Sequence, residues 1–273
     1  LQGLTAMPGG FLAGFFDNTL CFSEAYYPHA WPVSYQLAFA DDIVGIAVVA
    51  NGIVVTTKGQ PHLVTGSTPS AMADILIDSD QPCIANGSIV DMGEYALYAS
   101  HEGLVAVGGA QAQIVTSQVI DAKQWKALKP ETIHAYRYEG RYLAFFEGGC
   151  FSFTPQDGLE FYDITASAGY YDIYHDNLYL LDNDQVRGWR MGDPMTFTWR
   201  SKIYEVQPGG SGLTCGKVIA VKYPVTLRIF ADGVKIMQEP IMSRNFFRLP
   251  AGYADVRDLE IEVSAAFEIK SIQ

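Results

Sequence analysis

The sequence predicts an all-β fold, namely a β-propeller with about five visible blades followed by a small antiparallel β module. Three observations lead to this prediction. A hairpin signal recurs at the spacing of a propeller blade, the composition is rich in aromatic residues and turn formers, and the repeat ends after Asp193-Pro194. We therefore expect propeller blades over residues 1–198 and a separate β module over residues 199–273.

The recurring signal is a dipeptide typical of tight hairpin turns, placed between two short apolar runs. Asparagine, aspartate and glycine tolerate the positive φ that such turns need. The intervals between the turns are 34, 42, 46 and 37 residues, near the roughly 40–45 residues of a four-stranded blade. The five turns are Asp17-Asn18, Asn51-Gly52, Gly93-Glu94, Glu139-Gly140 and Asp176-Asn177.

The composition fits a turn-rich β protein. Aromatic residues make up 13% of the 273 residues and charged residues only 18%, with 26 Gly and 13 Pro. Disordered chains show the opposite balance. The apolar runs are strand-sized, so no membrane span is predicted. The chain begins with Leu1 and shows no secretory signal, and we interpret it as a fragment or a processed product.

In the first two units, strands are predicted on both sides of each turn. They cover residues 11–16 and 19–23, then 43–50, 53–57 and 62–65. Between them, the two prolines around Trp31 force an extended or turning connection. Residues 67–72 predict a short helix, capped by the hydroxyl of Ser67 or Thr68 and with Pro69 in its first turn.

The next three units repeat the pattern with more aromatic residues. Strands are predicted over residues 95–99, 104–107, 134–138, 141–146, 150–154, 170–174, 178–181 and 186–191. Residues 121–128, which Pro130 closes, predict a second short helix between blades.

The C-terminal module has its own pattern of short strands. A glycine-rich connector, Gly209-Gly210-Ser211-Gly212, separates an opening segment at residues 197–202 from strands at 218–222, 226–230, 234–237, 246–249 and 258–263. In the last strand, Leu259, Ile261 and Val263 alternate with glutamates, which predicts one buried face and one solvated face.

No residue pattern predicts a catalytic centre, a cofactor site or a metal site. The five histidines stand at different offsets from their local turns, so their side chains cannot converge on one ion. The segment Asp182-Asn183-Asp184 lacks the glycine and distal glutamate of a calcium loop. Four widely separated cysteines predict free buried thiols rather than a zinc site or a disulfide framework: Cys21, Cys83, Cys150 and Cys215.

Four residues are candidate contacts with a protein partner. Trp31 stands between Pro28 and Pro32, and Trp199 is next to Arg200 and close to Lys202. Tryptophan and arginine are enriched at the centres of protein interfaces. The alternative for each tryptophan is a packing role between blades.

Charge is unevenly distributed along the chain. Residues 1–198 carry a net charge of −14 and residues 199–273 carry +2. An acidic body disfavours stable binding to nucleic acid, because such binding depends on basic side chains that contact phosphates. It remains compatible with a surface past which DNA slides.

Six segments carry a resemblance to known proteins, in the same order along nearly the whole chain. They are residues 20–24, 28–32, 90–93 and 98–105, then Trp199-Arg200-Ser201-Lys202 and Phe247-Arg248-Leu249-Pro250. These segments resemble bacteriophage virion structural proteins, and the sequence is similar to tail tubular, or nozzle-like, proteins of short-tailed phages and to related prophage tail components.

This resemblance implies a non-enzymatic propeller subunit of the tail or head–tail junction. Such subunits assemble into a ring, often sixfold, around the DNA exit channel. Its partners would be other copies of itself and neighbouring virion proteins, with DNA only as passing cargo, and it would reside in virions assembled in the bacterial cytoplasm. Two alternatives are a receptor- or glycan-binding tail propeller and a propeller glycoside hydrolase, which would need paired carboxylates in a cleft.

Overall fold

The computed structural model describes residues 1–205, 214–249 and 256–273. Within these ranges the chain consists of antiparallel β-sheets, four short 3-10 turns and a six-residue α-helix, α1 (Ala122–Ala127). It forms two compact units, Leu1–Trp189 and Arg190–Gln273. No helix in the described ranges has the length and apolar character needed to cross a lipid bilayer.

The first unit contains five consecutive antiparallel sheets, here called blades 1 to 5. Blade 1 is β1 (Gln2–Met7), β2 (Phe11–Phe16), β3 (Thr19–Phe22) and β4 (Gln36–Ala38). Blade 2 is β5 (Ile43–Val49), β6 (Gly52–Thr57), β7 (His62–Thr65) and β8 (Ala73–Leu76). Blade 3 is β9 (Val90–Asp91), β10 (Ala96–Ala99), β11 (Leu104–Gly108) and β12 (Gln111–Ile114). Blade 4 is β13 (His134–Tyr138), β14 (Arg141–Phe146), β15 (Gly149–Thr154) and β16 (Gly158–Tyr162). Blade 5 has three strands, β17 (Ala168–Asp172), β18 (Asn177–Asp182) and β19 (Gln185–Gly188).

The blades are packed face to face in chain order. The first strands of successive blades, from β1 through β5, β9 and β13 to β17, lie next to one another. Each interface between neighbouring blades has its own apolar cluster. From the interface of blades 1 and 2 to that of blades 4 and 5, the clusters include Phe15 with Ile53, Val54 with Tyr98, Leu97 with Phe151, and Phe145 with Leu180. This arrangement confirms the predicted all-β propeller fold with five visible blades.

Helix α1 fastens blade 3 to blade 4. Its N-cap Asp121 accepts a hydrogen bond from the backbone N–H of Gln124, and the side-chain oxygen of Gln124 accepts one from the backbone N–H of Asp121. The predicted helix start is therefore confirmed, and it is a capping box. The helix buries Trp125 completely. The Trp125 indole donates to the Ser100 carbonyl at 2.9 Å and packs on Phe151, with ring centroids 6.1 Å apart.

Two local predictions are corrected by the structure. The predicted helix at residues 67–72 is only a 3-10 turn, Pro69–Ala71, and the Thr68 side chain makes no capping hydrogen bond. Cys215 is exposed, so the prediction of four buried thiols is wrong for this residue. The predicted Asp17-Asn18 hairpin is confirmed; it joins the second and third strands of its blade, whereas the other four predicted turns join first and second strands. Sequence reasoning missed β1 because that strand is mostly exposed and lacks an apolar alternation.

The second unit is built around one antiparallel sheet of five strands. Its members are β20 (Phe197–Arg200), β21 (Tyr204–Glu205), β24 (Val225–Ala231), β25 (Val234–Ile241) and β27 (Asp258–Ala265). Two short pairs accompany it: β22 (Cys215–Gly216) with β26 (Phe247–Arg248), and β23 (Val218–Ala220) with β28 (Ile269–Ile272). Val225, Leu227, Ile229 and Val263 belong to its core.

The boundary expected between residues 198 and 199 falls inside β20. Phe197 and Thr198 are paired with Ala265 and Ser264, so both belong to the second unit. The predicted connector at residues 209–212 and Pro250 lie outside the described residues.

Candidate functional site

Blade 5 has one covered face and one exposed face. Leu178 and Leu180 are buried against Leu143 and Phe145 of blade 4. Because side chains alternate along a strand, the residues between them lie on the opposite face. We call this the outer face of blade 5 and define it by Tyr170, Tyr179, Leu181 and Val186, in which Tyr170 pairs with Tyr179 and Leu181 with Val186.

The outer face of blade 5 is apolar and accessible to solvent. Tyr170 is 66% exposed and Val186 is 71% exposed. The adjoining turn adds Ile173 at 74% and Tyr174 at 91%. Large apolar side chains exposed to this degree are typical of an interaction surface.

Acidic side chains lie at the turn between β17 and β18, at one end of this face. The Asp172 carboxylate is 2.6 Å from Nδ1 of His175, and this hydrogen bond holds the pKa of Asp172 below its ordinary value. The hydroxyl of Tyr171 donates to Asp176 at 2.7 Å, which raises the pKa of Tyr171. An apolar centre with a charged rim is the usual anatomy of a protein interface.

Trp31, the first predicted contact residue, is half-buried in the connection that follows β3. Its indole N–H donates to the Pro28 carbonyl at 2.9 Å. Its exposed neighbours on this connection are Tyr26, Tyr27 and Val33. Trp31 therefore holds the connection in shape, while the residues beside it offer apolar surface.

The other three predicted contact residues lie in the second unit: Trp199 and Arg200 are on opposite faces of a sheet, and Lys202 is in the connection between β20 and β21. Trp199 pairs with Val263 and is 49% exposed. The neighbouring Arg200 extends from the opposite face. There its guanidinium donates to Glu260 at 2.6 Å and lies 4.0 Å above the Phe230 ring centroid. Lys202 Nζ lies 5.6 Å from the centroid of Tyr204.

Trp199 helps to line an apolar groove of about 530 Å³, together with Phe197, Tyr204 and Ile261. Two of the hydroxyl groups in this groove, those of Thr198 and Ser201, have hydrogen-bond partners. Thr198 shares a hydrogen bond with Ser264 at 2.8 Å. Ser201 donates to the Lys202 carbonyl at 2.7 Å and accepts from the Ile261 N–H at 2.9 Å. The lining of the groove is mainly apolar.

The buried titratable groups of the first unit have a packing role. Burial raises the pKa of the Cys150 thiol to about 12 and also raises that of Cys83. It raises the pKa of Tyr142, whose hydroxyl donates to the Ser88 carbonyl at 2.7 Å. A thiol with a raised pKa is a poor nucleophile near neutral pH. Within the described ranges, no group of three or more His, Cys, Asp or Glu side chains is placed to hold a metal ion.

Comparison with known proteins gives no family for this chain. No protein-family profile matches it, and no curated protein matches it. Among solved structures, it is similar to an extracellular domain attributed to a one-component system from B. thetaiotaomicron, at 11% identity and a TM-score of 0.45, over 90% of this chain and 34% of that one. The chain therefore spans about a third of that protein's length.

Two structures of an exo-β-1,3-galactanase from Phanerochaete chrysosporium are also similar. One bound to β-1,3-galactotriose has 8% identity and a TM-score of 0.37, covering 99% of this chain and 94% of that one. The other, with galactose, has 9% identity and a TM-score of 0.33, covering 96% and 95%. Likeness at this level carries no argument about activity.

Proposed function

We propose that this chain is a non-enzymatic structural subunit of a bacteriophage virion, a nozzle-like component of the tail or head–tail junction that packs against other copies of itself. One observation carries the proposal: the outer face of blade 5 leaves aromatic and aliphatic side chains in solvent, although the opposite face is packed as in the other blades. The resemblance to tail tubular proteins supplies the biological setting.

The same physics that joins the blades supports association through this face. Burying one valine or aromatic side chain contributes about 1.5–3 kcal/mol. Tyr170 and Val186 occupy strand positions like those that neighbouring blades bury against each other. A second copy, or another virion protein, would remove this surface from water in the same manner.

The charge of the first unit is compatible with DNA as a passing cargo. Residues 1–189 contain 7 Lys and Arg against 21 Asp and Glu, a net charge of −14. A surface with few cations offers phosphates few partners, so DNA would pass it without being held. Assembly in the bacterial cytoplasm and residence in the virion follow from the same proposal.

The first experiment compares two valine substitutions. Val186→Asp places a charge on the outer face of blade 5, and Val33→Asp makes the same change at a valine 79% exposed on the blade 1 connection. Mass photometry and negative-stain electron microscopy would record the assembly state. We expect rings or other closed oligomers for the original chain and for Val33→Asp, and their loss in Val186→Asp, because burying an unpaired charge opposes association. A monomeric original chain, or equal assembly of both variants, would contradict the proposed role of this face.

The second experiment addresses the virion itself. Antibodies raised against the chain would be applied to purified phage particles from the source culture and located by immunoelectron microscopy. We expect labelling at the tail or at the head–tail junction. Detection only in material free of particles would refute the virion assignment.

A further inference from the structure

A cleft of about 490 Å³ opens in the first unit between the outer strands of blade 3 and blade 4. Gln111 and Gln113 of β12 line one side, and Phe153 and Pro155 of blade 4 line the other. Asp78, from the connection that follows β8, completes the wall. The volume is within the range of roughly 300–1,000 Å³ that small-molecule sites occupy.

Small residues keep this cleft open. Ala106 pairs with Gln113 and Gly108 pairs with Gln111, and directly paired residues share one face of the sheet. A Cβ atom at Gly108 would lie 3.1 Å from Cβ of Tyr95, so the tyrosine lies close against the glycine. On the opposite face of β11, Val105 and Val107 are fully buried. At positions 106 and 108, β11 thus presents small residues to blade 4, whereas Val105 and Val107 pack toward blade 2.

The polar side chains of the cleft have no partner within the described part of the chain. No hydrogen bond or ion pair engages the amides of Gln111 and Gln113, the carboxylate of Asp78 or the hydroxyl of Tyr95. Glutamine amides supply both donors and acceptors, and the carboxylate accepts. The aromatic ring of Tyr95 supplies a flat apolar surface next to them.

We propose that this cleft binds a neutral saccharide. Paired amides and a carboxylate match the alternating donors and acceptors of sugar hydroxyl groups, and a tyrosine ring packs against the C–H face of a pyranose. The lining contains neither lysine nor arginine, and the unit is strongly acidic, so phosphorylated and carboxylated ligands are disfavoured. Binding here is separate from the proposed association through blade 5.

The test uses the full chain and defined sugars. The probes are glucose, galactose, N-acetylglucosamine, lactose and cellobiose, with N-acetylneuraminic acid and galacturonate as anionic comparators. Saturation-transfer difference NMR would detect binding, and calorimetric titration would give dissociation constants. We expect at least one neutral sugar to bind with millimolar affinity or better, and more tightly than either anionic sugar.

Three variants locate the binding. Gln113→Ala removes one polar partner and should weaken binding about threefold to tenfold. Ala106→Leu fills the floor of the cleft and should weaken binding by more than tenfold. Gln118→Ala changes an exposed glutamine outside the cleft and should leave binding unchanged.

Thermal melting would confirm that each variant is folded. Should Ala106→Leu fail to fold, Gln111→Ala combined with Gln113→Ala replaces it, because both glutamines are exposed. Absence of binding across the neutral panel, preference for the anionic sugars, or equal effects of Gln113→Ala and Gln118→Ala would each overturn the proposal. None of these outcomes alters the association test on Val186.

Discussion

Gly52 is a position at which the structure leaves no room for a side chain. It stands at the start of β6 with φ +149°, a conformation that residues with a side chain rarely adopt. A Cβ atom there would lie only 2.3 Å from the carbonyl oxygen of Val64 on the neighbouring strand β7. Because the obstacle is backbone within a paired strand, it cannot rotate away.

We therefore expect Gly52→Ala to destabilise the first unit substantially. The strained φ costs about 1–3 kcal/mol, and pushing β6 away from β7 costs about 1–3 kcal/mol more. For a unit of this size, the sum of about 2–6 kcal/mol corresponds to a melting temperature lower by roughly 5–20 °C. Thermal melting followed by circular dichroism measures this shift.

Gly140→Ala is the matched control. Gly140 is also in a hairpin turn, at φ +73°, but a Cβ atom there would meet nothing within 4 Å. Its substitution should cost only about 1–2 kcal/mol, the price of a left-handed residue with a side chain. If Gly52→Ala melts no lower than Gly140→Ala, the close approach of Val64 does not constrain this hairpin and the reasoning is wrong.

Three further predictions concern buried groups. Tyr142→Phe removes the hydrogen-bond donor to the Ser88 carbonyl and should lower the free energy of unfolding by about 1–3 kcal/mol, measured by urea titration. An unchanged midpoint of unfolding would contradict this prediction and show that water replaces the hydroxyl. Burial lowers the pKa of His134 below its ordinary value of 6.5, so the unfolded chain binds more protons than the folded chain, and stability should fall as the pH drops below about 6.5. In His134→Phe, the melting temperature should depend less on pH in this range. An equally steep dependence in the variant would contradict the prediction. Ellman's reagent should label one thiol in the native chain, that of Cys215, because the other three cysteines are buried. After denaturation it should label all four thiols. Rapid labelling of the native Cys215→Ser variant would refute this prediction.

Much of the first unit could be predicted from the sequence because its signals are local. Each of the five turn dipeptides joins consecutive strands, and positive φ occurs at Asp17, Gly52, Gly93, Glu139 and Asp176. The second helix was readable because Asp121 and Gln124 form a capping box within four residues. Local chemistry of this kind does not depend on the rest of the fold.

The packing between blades could not be predicted in the same way. Gly3, Gly45 and Gly87 follow one another at intervals of 42 residues. A Cβ atom at these three positions would approach Ile46, Ile89 and His134, respectively, each in a later part of the chain. This repeat can be found in the sequence, but the spacing of the glycines does not indicate which residues pack against them.

The candidate surfaces were harder still. Trp199 and Arg200 are adjacent in sequence, yet strand alternation sends them to opposite faces of a sheet, so they do not form one contact site. The outer face of blade 5 was missed because apolar strand residues normally indicate burial. Its exposure depends on what packs against each side of the blade, which is information that strand periodicity does not contain.

Separate apolar clusters between successive blades have a consequence for how the first unit opens. Each blade is stabilised mainly by its nearest neighbours, as in a linear array of repeats. Blade 5 has three strands, and among the described residues its apolar cluster is shared with blade 4, whereas blade 3 packs between two neighbours. Blade 5 should therefore exchange its amide hydrogens sooner than blade 3. A partner bound to the outer face of blade 5 would slow that exchange. Assembly would therefore also stabilise the fold of the subunit.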